Sequence, residues 1–309
     1  MPLLRRKRVL AAKIETTPGT PISLSASDAV FNVFDSQITP AIEFTPREGQ
    51  SSFSPLHGTL GAYGGTVTFS HELAPGSGAL PAWAATFLPA CGWVATGSVY
   101  TPRTEAPGTN VKTLTIGMYQ DGVFKSIRGA MGTFVIRCES GKPVMLDFTF
   151  TGLWVAPSDV AIIAPTYPTL KPLRFVSAGV LIGAWAPKIA TLTIDAGNEV
   201  ILREDANDAA GYSTALATGR RMTGSLTPES ELIATKDYHG EWLSMVEQAL
   251  AVVLSSGGIG WSIAAPKLQF TNVSESERNQ VQIDTLEFQL NRSAAAGDDE
   301  MSLTADSTP

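Results

Sequence analysis

Residues 144–151 read VMLDFTFT, and this stretch decides the fold class. Apolar and polar side chains alternate, so an extended strand here would bury one face and expose the other to water. The same alternation recurs at residues 66–73, 113–118 and 191–195. Strands buried in parallel sheets read instead as continuous apolar runs. The sequence therefore predicts a mainly β protein built from antiparallel sheets, arranged as a sandwich or an open barrel.

Two segments show the periodicity of a helix rather than that of a strand. In the first, apolar residues that include Trp83 and Phe87 recur at intervals of three and four. In the second, a similar stripe runs from Trp242 through Val246 to Leu250. The sequence predicts two amphipathic α-helices of about three turns each. Their expected contacts with the sheets are made by Trp83, Phe87, Trp242 and Val246.

The two halves of the chain resemble each other. Residues 65–73 (GTVTFSHEL) match residues 224–232 (GSLTPESEL), and Trp242 follows the second stretch at the spacing at which Trp83 follows the first. Further along, the pattern LDFTF of the first half returns as LEFQL at residues 286–290. An internal repeat of this kind predicts two tandem related β domains, each with one flanking α-helix. Chance similarity between two β domains is the alternative.

Prolines and composition divide the chain into segments. Residues 157–172 are rich in proline, which disfavours helix and sheet interiors. The predicted organisation is an N-terminal arm at 1–16, a first domain at 17–156, a linker at 157–172, a second domain at 173–292 and a C-terminal tail at 293–309. Within the tail, residues 300–304 are expected to add a short strand.

Composition and charge restrict the class of protein. Of 309 residues, 44% are hydrophobic and 17% are charged, which excludes a disordered chain and a coiled coil. Lys and Arg total 22 against 29 Asp and Glu, a net charge of −7, which argues against a basic nucleic-acid binder. No apolar run reaches about 18 residues, so no membrane span is expected. The apolar stretch at residues 9–12 is too short for a secretory signal, which predicts synthesis in the cytoplasm.

The residues that catalysis or metal binding requires are few and scattered. The chain has two cysteines, Cys91 and Cys138, and its three histidines are not spaced as metal ligands. No nucleophile elbow, phosphate loop or dinucleotide-binding motif occurs. His71 lies among polar neighbours and is expected on the surface, whereas both cysteines are expected to be small buried hydrophobes. The sequence predicts no catalytic residue, no metal site and no cofactor.

Residues 47–65 read REGQSSFSPLHGTLGAYGG and are expected to form a long loop without secondary structure. Such loops are uncommon inside compact domains and often functional. The segment begins at Arg47, and its apolar side chains would be unfavourable on a loop exposed to water; they belong to Phe53, Leu56, Leu60 and Tyr63. We therefore predict an arm that docks on another subunit. A loop folded over its own domain is the alternative.

Four short motifs follow one another along the chain: VLAAKIETTPGT at 9–20, PAWAATFLPACG at 81–92, FTFTGL at 148–153 and DDEMSL at 298–303. In this order they resemble the phage tail tube proteins of long, non-contractile tails. Each motif alone is weak, but the series covers nearly the whole chain and is fairly specific. The sequence departs from the family pattern at residues 17–19, where a tyrosine often precedes the glycine.

The resemblance implies a structural protein of the virion rather than an enzyme. Its subunits would form rings, the rings would stack into a hollow tube, and the tube would conduct DNA in transit. The implied partners are other copies of the chain, the tape-measure protein and the proteins at the tail ends. The implied location is the virion tail, assembled in the host cytoplasm.

Two tube-like domains per chain lead to an expectation about symmetry. Three chains would complete a ring of six domains, so a trimeric ring with pseudo-sixfold symmetry is expected, with a hexamer as the alternative. The acidic balance suits a lumen that repels phosphates. We expect residues 47–65 and the segment before Thr17 to stack one ring on the next. The alternative from another class is a carbohydrate- or surface-binding β-sandwich module, which would expose aromatic platforms.

Overall fold

The computed structural model describes residues 3–4, 6–75, 80–167, 171–256 and 259–306. The remaining positions of the predicted arm, linker and C-terminal tail lie outside the described residues. The described chain is dominated by antiparallel strands with two short α-helices, so the predicted mainly β class is confirmed.

Among the described residues, the first half contains eight strands, a 3-10 turn and one helix. In chain order these are β1 (Arg8–Ile14), a 3-10 turn (Ala26–Asp28), β2 (Val33–Glu48), β3 (Pro55–Glu72), α1 (Ala82–Ala90), β4 (Trp93–Thr96), β5 (Val99–Pro102), β6 (Leu114–Gln120), β7 (Val123–Glu139) and β8 (Met145–Asp159).

The second half contains nine strands and one helix within the described residues. They are β9 (Leu181–Ile182), β10 (Ile189–Asp195), β11 (Asn198–Glu204), β12 (Tyr212–Arg220), β13 (Thr223–Pro228), α2 (Tyr238–Leu243), β14 (Glu247–Ser256), β15 (Ile259–Arg278), β16 (Val281–Leu290) and β17 (Ser302–Asp306).

One large sheet runs through both halves. Its main path begins β2-β3-β8-β7 and continues without a break as β10-β13-β16-β15, then β17-β5-β4. We call the first four strands unit one and the next four unit two. The units have the same order of corresponding strands and meet where β7 pairs with β10, from Thr191 opposite Glu139 to Asp195 opposite Val135. Strands β11 and β12 form a separate two-stranded sheet.

Alternation along the strands places the core. In β8, Leu146, Phe148 and Phe150 are buried, whereas Thr149 between them is exposed. Phe148 stacks against Phe69 of β3, with ring centroids 5.3 Å apart, and the same apolar core continues into unit two. The alternating residues thus point into one core on one side of the sheet and into solvent on the other.

The two helices differ from each other. In α1, Phe87 is fully buried and its ring lies 5.2 Å from that of Phe148, while Trp83 is half-buried. In α2, Trp242 packs against the core from a half-buried position, but Val246 lies beyond the helix and is exposed. The prediction of a three-turn second helix is wrong, because Met245 has a left-handed backbone and the chain then extends to pair with β15.

Of three further predictions for the termini and a loop, two change and one is confirmed. Strand β1 lies within the predicted arm and pairs with β6, so that part of the arm belongs to the sheet. Residues 47–65 are not an irregular loop, because they form the turn of the β2–β3 hairpin and the strand segments next to it. The strand expected at 300–304 is confirmed as β17, which pairs with β15 and with β5 of the first half.

Candidate assembly surfaces

The β2–β3 hairpin extends beyond the rest of the sheet. At its base, the Tyr63 N–H donates to the Ala210 carbonyl over 3.0 Å. We call residues 43–62, beyond this attachment, the distal hairpin. Its two strands stay paired down to Glu48 opposite Pro55, with register shifts between Ile42 and Phe44 and between Thr45 and Arg47, and this ladder holds the turn away from the core.

The distal hairpin carries a row of exposed apolar side chains. Phe53 is fully exposed, and Phe44, Leu56 and Leu60 are 70%, 49% and 68% exposed. Exposed apolar groups gathered on one protruding element are typical of an interaction surface. Leu60 lies directly opposite Phe44, so the two form one patch.

The structure brings most of the predicted stacking residues together. Arg47 is exposed and opposes Leu56, close to the exposed Phe53 at the turn. Tyr63 is separate from them, because it is half-buried at the attached base. The sequence-based prediction did not include Phe44, although Ile42 and Phe44 continue the alternation of apolar residues along β2.

Glu15, which belongs to the motif at residues 9–20, has a structural role. This carboxylate is 3% exposed and accepts hydrogen bonds from the Gly19 and Gly129 N–H groups, each over 2.8 Å. It also accepts from the Thr113 and Thr115 hydroxyls at 2.7 and 2.8 Å. A buried carboxylate is tolerated where donors surround it in this way. Glu15 therefore holds the turn that follows β1 against β6 and β7.

A second polar group, Arg128, connects the turn that follows β1 to the second half of the chain. Arg128 donates to the Gly19 carbonyl over 2.5 Å and to both carboxylate oxygens of Asp208 at 2.8 and 2.9 Å. Burial acts to raise the pKa of Asp208, but hydrogen bonds from Ala210 and Arg128 outweigh it and the pKa is lowered. The turn between β11 and β12 is thus bound to β7.

The side of units one and two that faces away from the core is polar. Hydroxyl side chains dominate it, and we call it the hydroxyl face; its members include Thr39, Thr66, Thr68, Thr133, Thr149, Thr151, Thr191, Thr193, Thr223, Ser225, Thr227 and Thr285. Its charged groups include Glu139, Asp147, Asp195 and Glu287 together with Arg137 and Arg221. Arg137 pairs with Asp147, which leaves the acids in excess.

In the described part of the chain, the side chains that metal binding or thiol chemistry would use are scattered or buried. Among the described residues, no three His, Cys, Asp or Glu side chains form a group that could hold a metal ion. Cys91 and Cys138 are both buried, as predicted. Burial raises the pKa of Cys138 to about 12 and that of Cys91 well above its ordinary value, so both thiols stay protonated and unreactive.

The prediction of a surface imidazole at His71 is wrong. His71 is 1% exposed and its ring lies 4.9 Å from that of Trp83. Its position in β3 has the same parity as the buried Phe69 and Leu73, so it faces the core while Ser70 and Glu72 face outward. Burial lowers the pKa of His71 to about 4, which keeps the ring neutral.

Comparison with known proteins identifies the family of the chain. In the described part of the chain, neither helix has the length and apolar character needed to cross a membrane. No curated protein matches the sequence. A family model described as phage tail tube protein matches residues 5–294. That family is structural rather than enzymatic, and its members are virion tail components that assemble with themselves into a tube. Since the match covers nearly the whole chain, the protein belongs to the phage tail tube protein family.

Proposed function

We propose that three copies of this chain form a ring with pseudo-sixfold symmetry, and that stacked rings build the tube of a long, non-contractile tail. The observation that carries the proposal is the repeated strand order, because each chain supplies two equivalent four-strand units. Three chains supply six units around one axis. This use of the repeat also requires that the two halves are tandem related domains.

The hydroxyl face suits the wall of a channel that DNA must pass without binding. Threonine and serine hydroxyls carry no charge, so they offer phosphates no ionic contact. The carboxylates of Asp195 and Glu287 on the same face repel the DNA backbone, whereas clustered Lys or Arg would retain it. The net charge of −7 is in keeping with such a lumen.

The distal hairpin suits contact between successive rings. It protrudes from the sheet, its two strands stay paired down to the turn, and its exposed apolar residues would be covered by an adjacent copy of the chain. The ends of such a stack leave one surface uncovered at each side. We assign those two surfaces to the tail-end proteins. During assembly in the host cytoplasm, the lumen would hold the tape-measure protein. During delivery, DNA would pass through the lumen.

The number of chains per ring tests the proposal directly. Purified protein is imaged by negative-stain and cryo-electron microscopy, and ring mass is measured by native mass spectrometry. We expect hollow tubes whose rings contain three chains and show six similar lobes. Rings of six chains would contradict the trimer, and protein that forms only monomers at high concentration would contradict the tube function as a whole.

A further inference from the structure

The distal hairpin lies at one end of the sheet, and the strand directions locate the opposite end. Strand β3 runs from the hairpin turn toward Glu72. Four antiparallel pairings lead from β3 through β8, β7 and β10 to β13, so β13 runs in the same direction as β3. The chain therefore leaves unit two, after Pro228, at the end of the sheet that lies away from the distal hairpin.

Two segments meet at this end of unit two. One is the stretch that follows β13, and the other is the turn between β15 and β16. The Ser230 N–H donates to the Gln282 carbonyl over 3.1 Å, which holds the two segments side by side. We call residues 229–233 together with residues 275–281 the unit-two end.

The unit-two end exposes apolar side chains. Leu232 is 78% exposed, Ile233 is 64% exposed and Val281 is 46% exposed. The hydrogen bond at Ser230 brings the first two residues near the turn that carries the third. Exposed apolar side chains gathered at one end of a sheet are typical of an interaction surface.

The corresponding end of unit one differs at each of these positions. In the internal repeat, Leu73 and Ala74 hold the places of Leu232 and Ile233, and both are buried. Gly141 holds the place of the exposed valine, so it has no side chain to offer. Of the two units, unit two is therefore the one that presents apolar surface at these positions.

Charge distinguishes the two ends in the same way. The unit-two end carries the exposed carboxylates of Glu275 and Glu277. At the β7–β8 turn of unit one, Glu139 is instead paired with Lys142 over 2.6 Å. Arg47 is exposed near the tip of the distal hairpin and has the opposite charge to the unit-two end. Such complementarity fixes the partner and the orientation of a contact.

We propose that the distal hairpin of one ring docks on the unit-two end of a chain in the next ring, and not on unit one. The apolar row of the hairpin then covers the exposed apolar side chains of that end, and Arg47 lies toward Glu275 and Glu277. This proposal rests on the proposed stacking of rings, whose receiving surface it specifies.

The proposal has a consequence for the symmetry of the stack. Each chain has one distal hairpin and one unit-two end, so the two surfaces match in number. In a ring of three chains, three of the six units would receive a hairpin and the other three would not. The stacking contacts would thus have threefold symmetry although the ring itself is pseudo-sixfold.

Serine substitutions test the apolar part of the contact. The variant Leu232→Ser/Ile233→Ser should lose tube formation, because the hairpin would no longer bury apolar surface there. The matched control is Leu243→Ser/Met245→Ser, which removes two apolar side chains that are also exposed on unit two but lie outside the unit-two end. Sedimentation and electron microscopy measure assembly, and circular dichroism measures folding.

Charge reversal tests the partner without relying on apolar surface. Arg47→Glu alone and Glu275→Arg/Glu277→Arg alone each place like charges together, so tube formation should be lost in both. A chain that carries all three substitutions restores opposite charges between successive copies and should form tubes again. A change that merely harmed folding would not be reversed by adding the other substitutions.

We expect tubes from the unmodified protein, from the serine control and from the combined charge variant. Tubes from Leu232→Ser/Ile233→Ser, or a folded combined charge variant that stays unassembled, would overturn docking on the unit-two end. If the serine variant does not fold, the charge variants decide the result. Absence of tubes in the unmodified protein would instead contradict the proposed function itself.

Discussion

The β11–β12 hairpin and the distal hairpin occupy the same place in the two units, but the first packs against the chain and the second protrudes from it. Each connects the first strand of its unit to the second. The β11–β12 hairpin folds back onto the chain, where Ala215 is completely buried against Met131 and Val111. The distal hairpin continues straight out of the sheet and exposes its apolar residues.

The difference begins at one pair of corresponding residues. Gly197 has a φ of +62°, and a Cβ atom there would lie 1.9 Å from the Arg221 carbonyl oxygen. This backbone turns the chain sharply out of the sheet, and it is open only to glycine. Glu43 holds the corresponding place in β2, where the ladder shifts its register between Ile42 and Phe44 and then continues. A packed hairpin and a protruding one thus arise from the same topology.

The largest expected effect concerns the protruding hairpin. Replacing Phe53, Leu56 and Leu60 together with serine removes apolar surface that stacking would bury, so we expect tube formation to be lost. The melting temperature of the subunit should change little, because these side chains are exposed. Sedimentation and electron microscopy measure assembly, and calorimetry measures stability.

A conservative variant controls this experiment. Phe53→Leu, Leu56→Ile and Leu60→Ile retain apolar surface and strand propensity, so tubes should still form. Normal tubes from the serine variant would show that the distal hairpin does not stack rings.

The second prediction concerns the turn of the packed hairpin. Gly197→Ala should lower the free energy of unfolding by about 3 kcal/mol, since it combines an unfavourable φ with a severe backbone contact. Glu43→Ala, at the corresponding exposed position, should change it by less than about 0.5 kcal/mol. Urea denaturation of both variants measures the difference. Equal effects would mean that Gly197 does not hold the fold-back.

The third prediction concerns acid stability in the first unit. His71 has a pKa of about 4 in the folded protein against 6.5 ordinarily, so the unfolded chain binds its proton first as the pH falls. This contribution to stability is complete above about pH 6.5 and declines toward pH 4, with about 2 kcal/mol lost by pH 5. In the second unit, serine stands at the corresponding position 230 and does not titrate.

The variant His71→Leu isolates this contribution. Carboxylates titrate in both proteins, so the informative quantity is the difference between their stability curves from pH 7 to pH 4. Parallel curves would contradict a neutral, buried His71.

The smallest expected effect concerns the tip of the packed hairpin. Asp208→Asn weakens the contact with Arg128, which is partly exposed, and should cost about 1 kcal/mol. Hydrogen exchange at residues 205–211 should accelerate more than exchange in β8. Unchanged exchange there would show that the ion pair does not fasten the tip.

Much of the fold follows from the sequence because its strands are buried on one face. The alternation around Phe148 predicts the core side correctly, and the same parity assigns His71 to the core once its polar neighbours are ignored. The short helix α2 could not be predicted from periodicity, since Val246 and Leu250 fit a helix stripe equally well. The pairing of β14 with the next strand, β15, decides between the two, and periodicity within the segment alone does not show this pairing.

The glycines in and near the distal hairpin led to the prediction of a loop instead of paired strands. Gly58 in the distal hairpin and Gly64 at its base favour a loop by composition, yet in the structure they make room for neighbouring side chains. A Cβ atom on Gly58 would lie 2.2 Å from the ring of Phe44, and one on Gly64 would lie 2.4 Å from Leu202. Both neighbours come from other strands, so local sequence could not reveal why glycine is required.

The internal junction between β7 and β10 also affects how readily a ring forms. Because both strands belong to one chain, they meet at a high effective concentration, and their pairing incurs no loss of translational freedom. In a ring of three such chains, every second junction is made during folding and the other three by association. Dilution would therefore separate the ring at the contacts between chains while the β7–β10 contacts within each chain persist, which makes the single chain the smallest unit of exchange.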